Sequence, residues 1–149
     1  MPAHVRLPFA AEHSNVLAVC CSDGRYIRAL EAFLSGRGID GHDLMAFPGG
    51  PGRLCRESAS YTDASVFLDA TDYLLRSHKT QRVVLVAHAD CGYYKSFFGR
   101  AERARQEEDL RRIAGRLRDK TRALEVSLVF VSPNPDKKAG GFVFEDVEP

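Results

Sequence analysis

The stretch VVLVAHADCGYY, Val83 to Tyr94, begins with four consecutive aliphatic residues and ends in an imidazole and a thiol three positions apart. Val83, Val84, Leu85 and Val86 suit a strand covered on both faces, and such strands belong to parallel sheets flanked by helices. The stretch therefore predicts an α/β fold with His88 just past the strand's carboxyl end. Open α/β sheets bind ligands at that edge, because the chain leaves the sheet there and the loops converge on a crevice. His88 and Cys91 on such a turn can face one metal, although an ordinary loop can carry the same pair.

Upstream, Val16 to Arg25 reads VLAVCCSDGR, a second apolar run that ends in a thiol and continues into a carboxylate, a glycine and an arginine. If the two strands are parallel neighbours, their carboxyl ends lie on one side, roughly 5 Å apart. A tetrahedral zinc site with ligand distances of about 2.0 to 2.3 Å fits that gap.

Cys21-Ser22-Asp23-Gly24-Arg25 followed by His88-Ala89-Asp90-Cys91-Gly92 resembles the paired C-x-D-x-R and H-x-x-C motifs of the β-class carbonic anhydrases. Gly141-Phe142-Val143-Phe144 is similar to a carboxyl-terminal strand of small members of that family, so the chain reads as a small, divergent member. The resemblance implies one β-carbonic-anhydrase-like domain over residues 1–149. It also implies Zn2+ held by Cys21, His88 and Cys91, with Asp23 and Arg25 as the dyad that orients the reacting water. The implied activity is that of a zinc lyase, the reversible hydration of carbon dioxide to bicarbonate by zinc-bound hydroxide. Two thiolates and an imidazole leave one position to fill, as in catalytic rather than structural zinc sites. If Arg25 releases Asp23, that carboxylate can take the fourth position and close the site; both states are expected within the family. Its pockets form at dimer interfaces, so a homodimer or higher homo-oligomer is expected.

The sequence departs from the family where an Asn-Ala-Gly loop is usual, because Phe47-Pro48-Gly49-Gly50 stands there. That change and the short arm before the first strand leave other readings open. These are a zinc hydrolase of carbonyl sulfide or carbon disulfide, a non-catalytic zinc-binding or regulatory protein, and a redox pair at Cys20 and Cys21. The last is disfavoured, because adjacent strand residues point to opposite faces.

Composition agrees with this reading. A chain of 149 residues fits one domain and buries about 70% of its unfolded surface. A net charge of +1 points to no particular partner. No apolar run is long enough to span a bilayer, and the opening residues lack a signal pattern, so a cytoplasmic protein without a membrane partner is expected. Four cysteines are too few for a disulfide framework.

Along the chain, a polar arm of about fifteen residues precedes a strand at Val16 to Cys21 and a helix at Arg25 to Gly36, with Gly24 allowing the tight turn between them. Asp23 also suits the positive end of that helix. Leu44 to Phe47 reads as a short strand entering the loop Pro48 to Gly52. Ser58 to Ser77 reads as a crossover helix whose packed face carries Val66, Phe67, Ala70, Tyr73 and Leu74. His4, His13, His42 and His78 lie outside any ligand spacing. Gly92 to Phe98 is an aromatic cluster, either core or a pocket wall. Arg100 to Arg122 forms a long helix with Leu110, Ile113, Ala114 and Leu117 on one stripe, and Glu102, Glu107, Glu108, Asp109 and Asp119 interspersed with arginines on an ion-paired, solvated face. Mixed charge of this kind is unlike the single-sign patch of a nucleic-acid surface, so no nucleic-acid partner is expected. Ala123 to Val131 forms a further strand, and Phe142 to Val147 an antiparallel edge strand. The whole is a three-layer α/β fold with a mainly parallel central sheet of about four to five strands, the last antiparallel at the edge.

Overall fold

The computed structural model describes residues 11–149. His4 and most of the expected arm lie outside the described residues. The chain runs β1 (Val16–Cys20), α1 (Gly24–Gly36), β2 (Asp43–Ala46), a 3-10 turn (Gly50–Leu54), α2 (Tyr61–Ser77), β3 (Arg82–His88), α3 (Gly92–Phe98), α4 (Arg103–Lys120), β4 (Glu125–Pro133) and β5 (Phe142–Asp146).

One five-stranded sheet carries the order β2-β1-β3-β4-β5. The first four strands are parallel and β5 runs antiparallel to β4, as the sequence predicts. From β1 the chain steps outward to β2, then returns to place β3 on the other side of β1. The strand order thus reverses at β1, and the crevice between the carboxyl ends of β1 and β3 is the switch point at which such sheets bind ligands.

Alternation along the central strands divides the core into two layers. Leu17, Val19, Val83, Leu85, Leu128 and Phe130 pack with Leu110, Ile113, Ala114 and Leu117 of α4, and Phe67, Leu68, Leu74 and Leu75 of α2 join that layer. Ala18, Cys20, Val84, Val86, Val129 and Val131 face the other way, toward Tyr26, Leu30 and Leu34 of α1. Helices cover both faces of the sheet, which explains the unbroken apolar run at the centre of β3.

Four local expectations are corrected. Gly24 is already the first residue of α1, and an added Cβ would meet nothing within 4 Å, so the turn after β1 does not require glycine there. His88 is the last residue of β3, still paired with Val131, rather than the first residue beyond it. In α2, Val66, Ala70 and Tyr73 face outward, and the packed side is formed by Ala64, Phe67, Leu68, Thr71, Leu74 and Leu75. The helix carries apolar residues on two stripes, and the sequence reading merged them into one. In α4, Asp109 is fully buried instead of solvated.

The other described histidines, His13, His42 and His78, belong to no cluster of metal-ligating side chains. His78 follows α2 as its carboxyl-terminal cap, its Nδ1 lies 2.6 Å from Asp43 Oδ2, and His13 stacks on its ring. His42 Nε2 lies 3.3 Å from Glu31, while its Nδ1 is buried without a partner among the described residues, with no group of metal-ligating side chains around it. Among the described residues no helix is long and apolar enough to cross a membrane.

Candidate metal centre

Three segments meet at the switch point. The residue after β1 is Cys21, the last residue of β3 is His88, and the residue capping the start of α3 is Cys91. One donor atom from each lies within 4.8 Å of the other two, and among the described residues no other group of His, Cys, Asp or Glu side chains converges in this way. His88 and Cys91 are buried, and Cys21 is partly so. Between His88 and Cys91 the backbone turns through Asp90 at φ 61°, a left-handed conformation that Asp tolerates better than most residues.

The His88 ring is oriented from behind. Its Nδ1 lies 2.7 Å from the carbonyl oxygen of Ala89, so Nδ1–H donates and Nε2 keeps its lone pair. Nε2 is buried without a hydrogen-bond partner. A buried acceptor left open costs about 1 to 3 kcal/mol, and a metal beside two thiols would satisfy it. Tyr26 supports the same arrangement, since its hydroxyl also donates to the Ala89 carbonyl at 3.1 Å and its ring lies 4.4 Å from that of His88. On the α1 side, Tyr26, Ile27, Leu30 and Val86 enclose a cavity of about 10 Å³ beside His88. That is at the lower limit for one water, and Cys21 and His88 themselves line it.

The two thiols act on each other. The neighbouring Cys91 holds the Cys21 pKa well below its ordinary value against the opposing effect of burial, and the His88 side chain and the backbone at Gly49 and Asp23 act in the same direction. Cys91 is pushed up in turn, first by Cys21 and then by burial. The pair thus favours a thiolate, the form that ligates metals. Cys20 belongs to the α1 layer, where burial raises its pKa to about 12.

Asp23 and Arg25 stand beside this group. Arg25 Nη2 donates to Asp23 Oδ2 at 2.6 Å and Nε to Oδ1 at 3.0 Å, while the Arg25 backbone N–H donates to Oδ1 at 3.0 Å. Asp23 is therefore both the amino-terminal cap of α1 and the partner of a guanidinium, which lowers its pKa to about 2. Its carboxylate is engaged by Arg25 and does not join the three-donor group. Arg25 also reaches Asp90 Oδ2 at 3.5 Å, and Lys95 pairs with that same carboxylate.

The Pro48 to Gly52 segment packs against the site rather than forming a free surface turn. Gly50 has φ 49°, and a Cβ there would come within 2.6 Å of the Cys21 nitrogen. A Cβ on Gly49 would enter the Tyr93 ring, and one on Gly52 would meet the Tyr94 hydroxyl. The loop backbone is thus wedged between the end of β1 and the two tyrosines of α3. Sequence reasoning singled out these glycines and that aromatic cluster, but it missed Tyr26, the Ala89 carbonyl and Asp109. Gln106 and Asp109 continue the Leu110, Ile113, Ala114 and Leu117 stripe by one turn. Position could have revealed Asp109, whereas residue type concealed it.

No family model and no curated protein matches the sequence. Solved structures do. The chain is similar to a carbonic anhydrase from Glaciozyma antarctica, with TM-score 0.54 and 15% identity over 92% of this chain and 83% of that one. A tetrameric β-carbonic anhydrase of Sordaria macrospora gives TM-score 0.57 and 14% identity over 93% and 83%. β-Carbonic anhydrase isoform I of Trichomonas vaginalis gives TM-score 0.57 and 11% identity over 97% and 90%. The likeness is one of fold. At this identity it carries the three-layer architecture, and the chemistry has to be argued from the residues of this chain.

Proposed function

We propose that the chain is a zinc-dependent lyase of the carbonic anhydrase kind, which interconverts carbon dioxide and bicarbonate. The observation that carries this reading is the convergence of Cys21, His88 and Cys91 at the switch point, with an unpartnered His88 Nε2 among them. Two sulfurs and one imidazole nitrogen suit zinc and leave one position for a reactant. Zinc bound there would act as a Lewis acid that makes water nucleophilic near neutral pH.

The remaining work falls to the dyad. Arg25 holds Asp23 by a bidentate pair, the strongest ordinary geometry for a carboxylate, and thereby keeps it from competing as a ligand. Asp23 offers a carboxylate oxygen as acceptor for the proton of the attacking water, which orients the oxygen lone pair toward carbon. Addition of water to carbon dioxide then yields bicarbonate and one proton. The low pKa of Asp23 keeps it an acceptor throughout the neutral range.

The outward stripe of α2 offers an apolar surface to a second copy of the chain. Val66 and Tyr73 are each more than half exposed, and Ala70 between them is exposed as well. Apolar residues at such spacing on a helix surface suit helix-to-helix packing, so we propose a homodimer through this face.

The decisive experiment is metal analysis of the purified protein combined with stopped-flow carbon dioxide hydration on both sides of neutrality. About one zinc per chain with hydration supports the lyase. Zinc without hydration at either pH rejects it and favours carbonyl sulfide or carbon disulfide as substrate, or a binding role. Absence of zinc after reconstitution rejects the ligand set itself.

A further inference from the structure

Asp109 has no place in the proposed reaction, yet it is fully buried in α4. A carboxylate out of water is stable only when donors surround it. The Tyr94 hydroxyl donates to Oδ2 at 2.6 Å and the Ser58 hydroxyl to the same oxygen at 2.5 Å. The Cys55 sulfur lies 3.3 Å from Oδ1, its single proton shared with the nearer Glu57 Oε2 at 3.0 Å. Arg105 and Arg112 lie 3.6 and 3.7 Å from Oδ1, and Arg105 also donates to the Ser58 hydroxyl.

The two hydroxyls and the thiol belong to the two segments that flank the metal centre, whereas the arginines share α4 with Asp109. Tyr94 sits in the first turn of α3, the helix capped by Cys91, and the Cys91 carbonyl accepts from Lys95 N–H within that turn. Cys55 and Ser58 follow the 3-10 turn whose Gly50 presses on the Cys20–Cys21 backbone. Tyr93 ties the segments a second time, its hydroxyl donating to the Ser58 carbonyl at 2.6 Å. One carboxylate on α4 thus fastens the segment behind Cys21 to the helix that carries Cys91.

We infer that Asp109 is a positioning residue for the metal centre: through Tyr94 and through Ser58 and Cys55 it sets the separation of the Cys21 and Cys91 sulfurs. The inference rests on the proposed ligand set. Groups that orient metal ligands from the next layer outward commonly change metal affinity 10- to 100-fold when removed. A pair of thiols whose supports have loosened should release zinc faster even where the fold survives.

The test measures zinc transfer from the loaded protein to a chromophoric chelator, after the parent's zinc content has been determined. Tyr94→Phe and Ser58→Ala each delete one donor with little change of shape, and each should release zinc about tenfold faster than the parent. Asp109→Asn, if it folds, should do so at least as fast. Ile113→Val, one turn further along α4 and directed into the core, loosens the same helix without touching the network and should release zinc at the parental rate. Parental rates for Tyr94→Phe and Ser58→Ala, or an equal acceleration by Ile113→Val, overturn the positioning role. A parent that takes up no zinc overturns the ligand set and the inference with it, and the initial stoichiometry separates that failure from the others.

Discussion

Gly50 tolerates little change. Any side chain there must adopt φ 49° and place its Cβ 2.6 Å from the Cys21 backbone nitrogen. The left-handed conformation alone costs a non-glycine residue about 1 to 2 kcal/mol, and the contact requires β1 or the loop to shift as well. Gly50→Ala should therefore lower the urea midpoint by an amount equivalent to at least about 2 kcal/mol. The ligands themselves give a sharper expectation. On the proposed set, Cys91→Ser strips zinc, as read by metal analysis, while Cys55→Ser keeps it. Asp23→Ala and Arg25→Ala should both retain zinc and lower carbon dioxide hydration by about 10² or more. Hydration equal to the parent's in both variants would remove the dyad from the mechanism. The part of Cys21, His88 and Cys91 as ligands is the proposal; their convergence was legible in the sequence because the two motifs that carry them follow apolar runs and resemble a known pair. Asp109 was not, because a carboxylate among arginines resembles a surface charge, and only its position on the stripe of α4 indicates burial.

At the level of elements, Glu57 connects the segment after the 3-10 turn to α4. It accepts from the Cys55 thiol at 3.0 Å and from Arg116 Nη2 at 3.0 and 3.1 Å. The Cys55 hydrogen bond, with Arg116 adding to it, holds its pKa near 2, below the usual carboxylate range. A carboxylate depressed on folding contributes stability above its unfolded pKa, and that contribution is lost as the pH falls toward 2. Glu57→Gln should accordingly flatten the acid limb of a stability-against-pH profile and leave the neutral region less affected. The contribution is modest, since the side chain is partly in solvent. The strands and helices were readable from periodicity, but the orientation of α2 was not. Val66, Ala70 and Tyr73 recur at helical spacing as regularly as the residues that pack inward, and a period alone does not say which stripe meets the sheet.

For the molecule as a whole, the outward stripe of α2 makes assembly testable. Val66→Asp with Tyr73→Arg should turn a homodimer into a monomer by light scattering at micromolar concentration. A parent that is already monomeric with its zinc in place would remove the proposed interface. The mainly parallel sheet and its antiparallel edge were legible because the run in β3 is apolar on both faces and the return to β5 is short. The register and the wedge of the glycine loop were not, since both depend on contacts between distant residues. The switch-point arrangement also bears on the order in which the native state is acquired. His88 and Cys91 are neighbours in the chain, whereas Cys21 reaches them only when β1 pairs with β3, a contact that closes a long loop. On the proposed ligand set, an unfolded or nascent chain would hold zinc by the local His88–Cys91 pair loosely and exchangeably, and firm retention would date from the docking of the two central strands. During refolding, the rate of tight zinc capture would then be a clock for that long-range pairing, a slow step in chains rich in distant contacts.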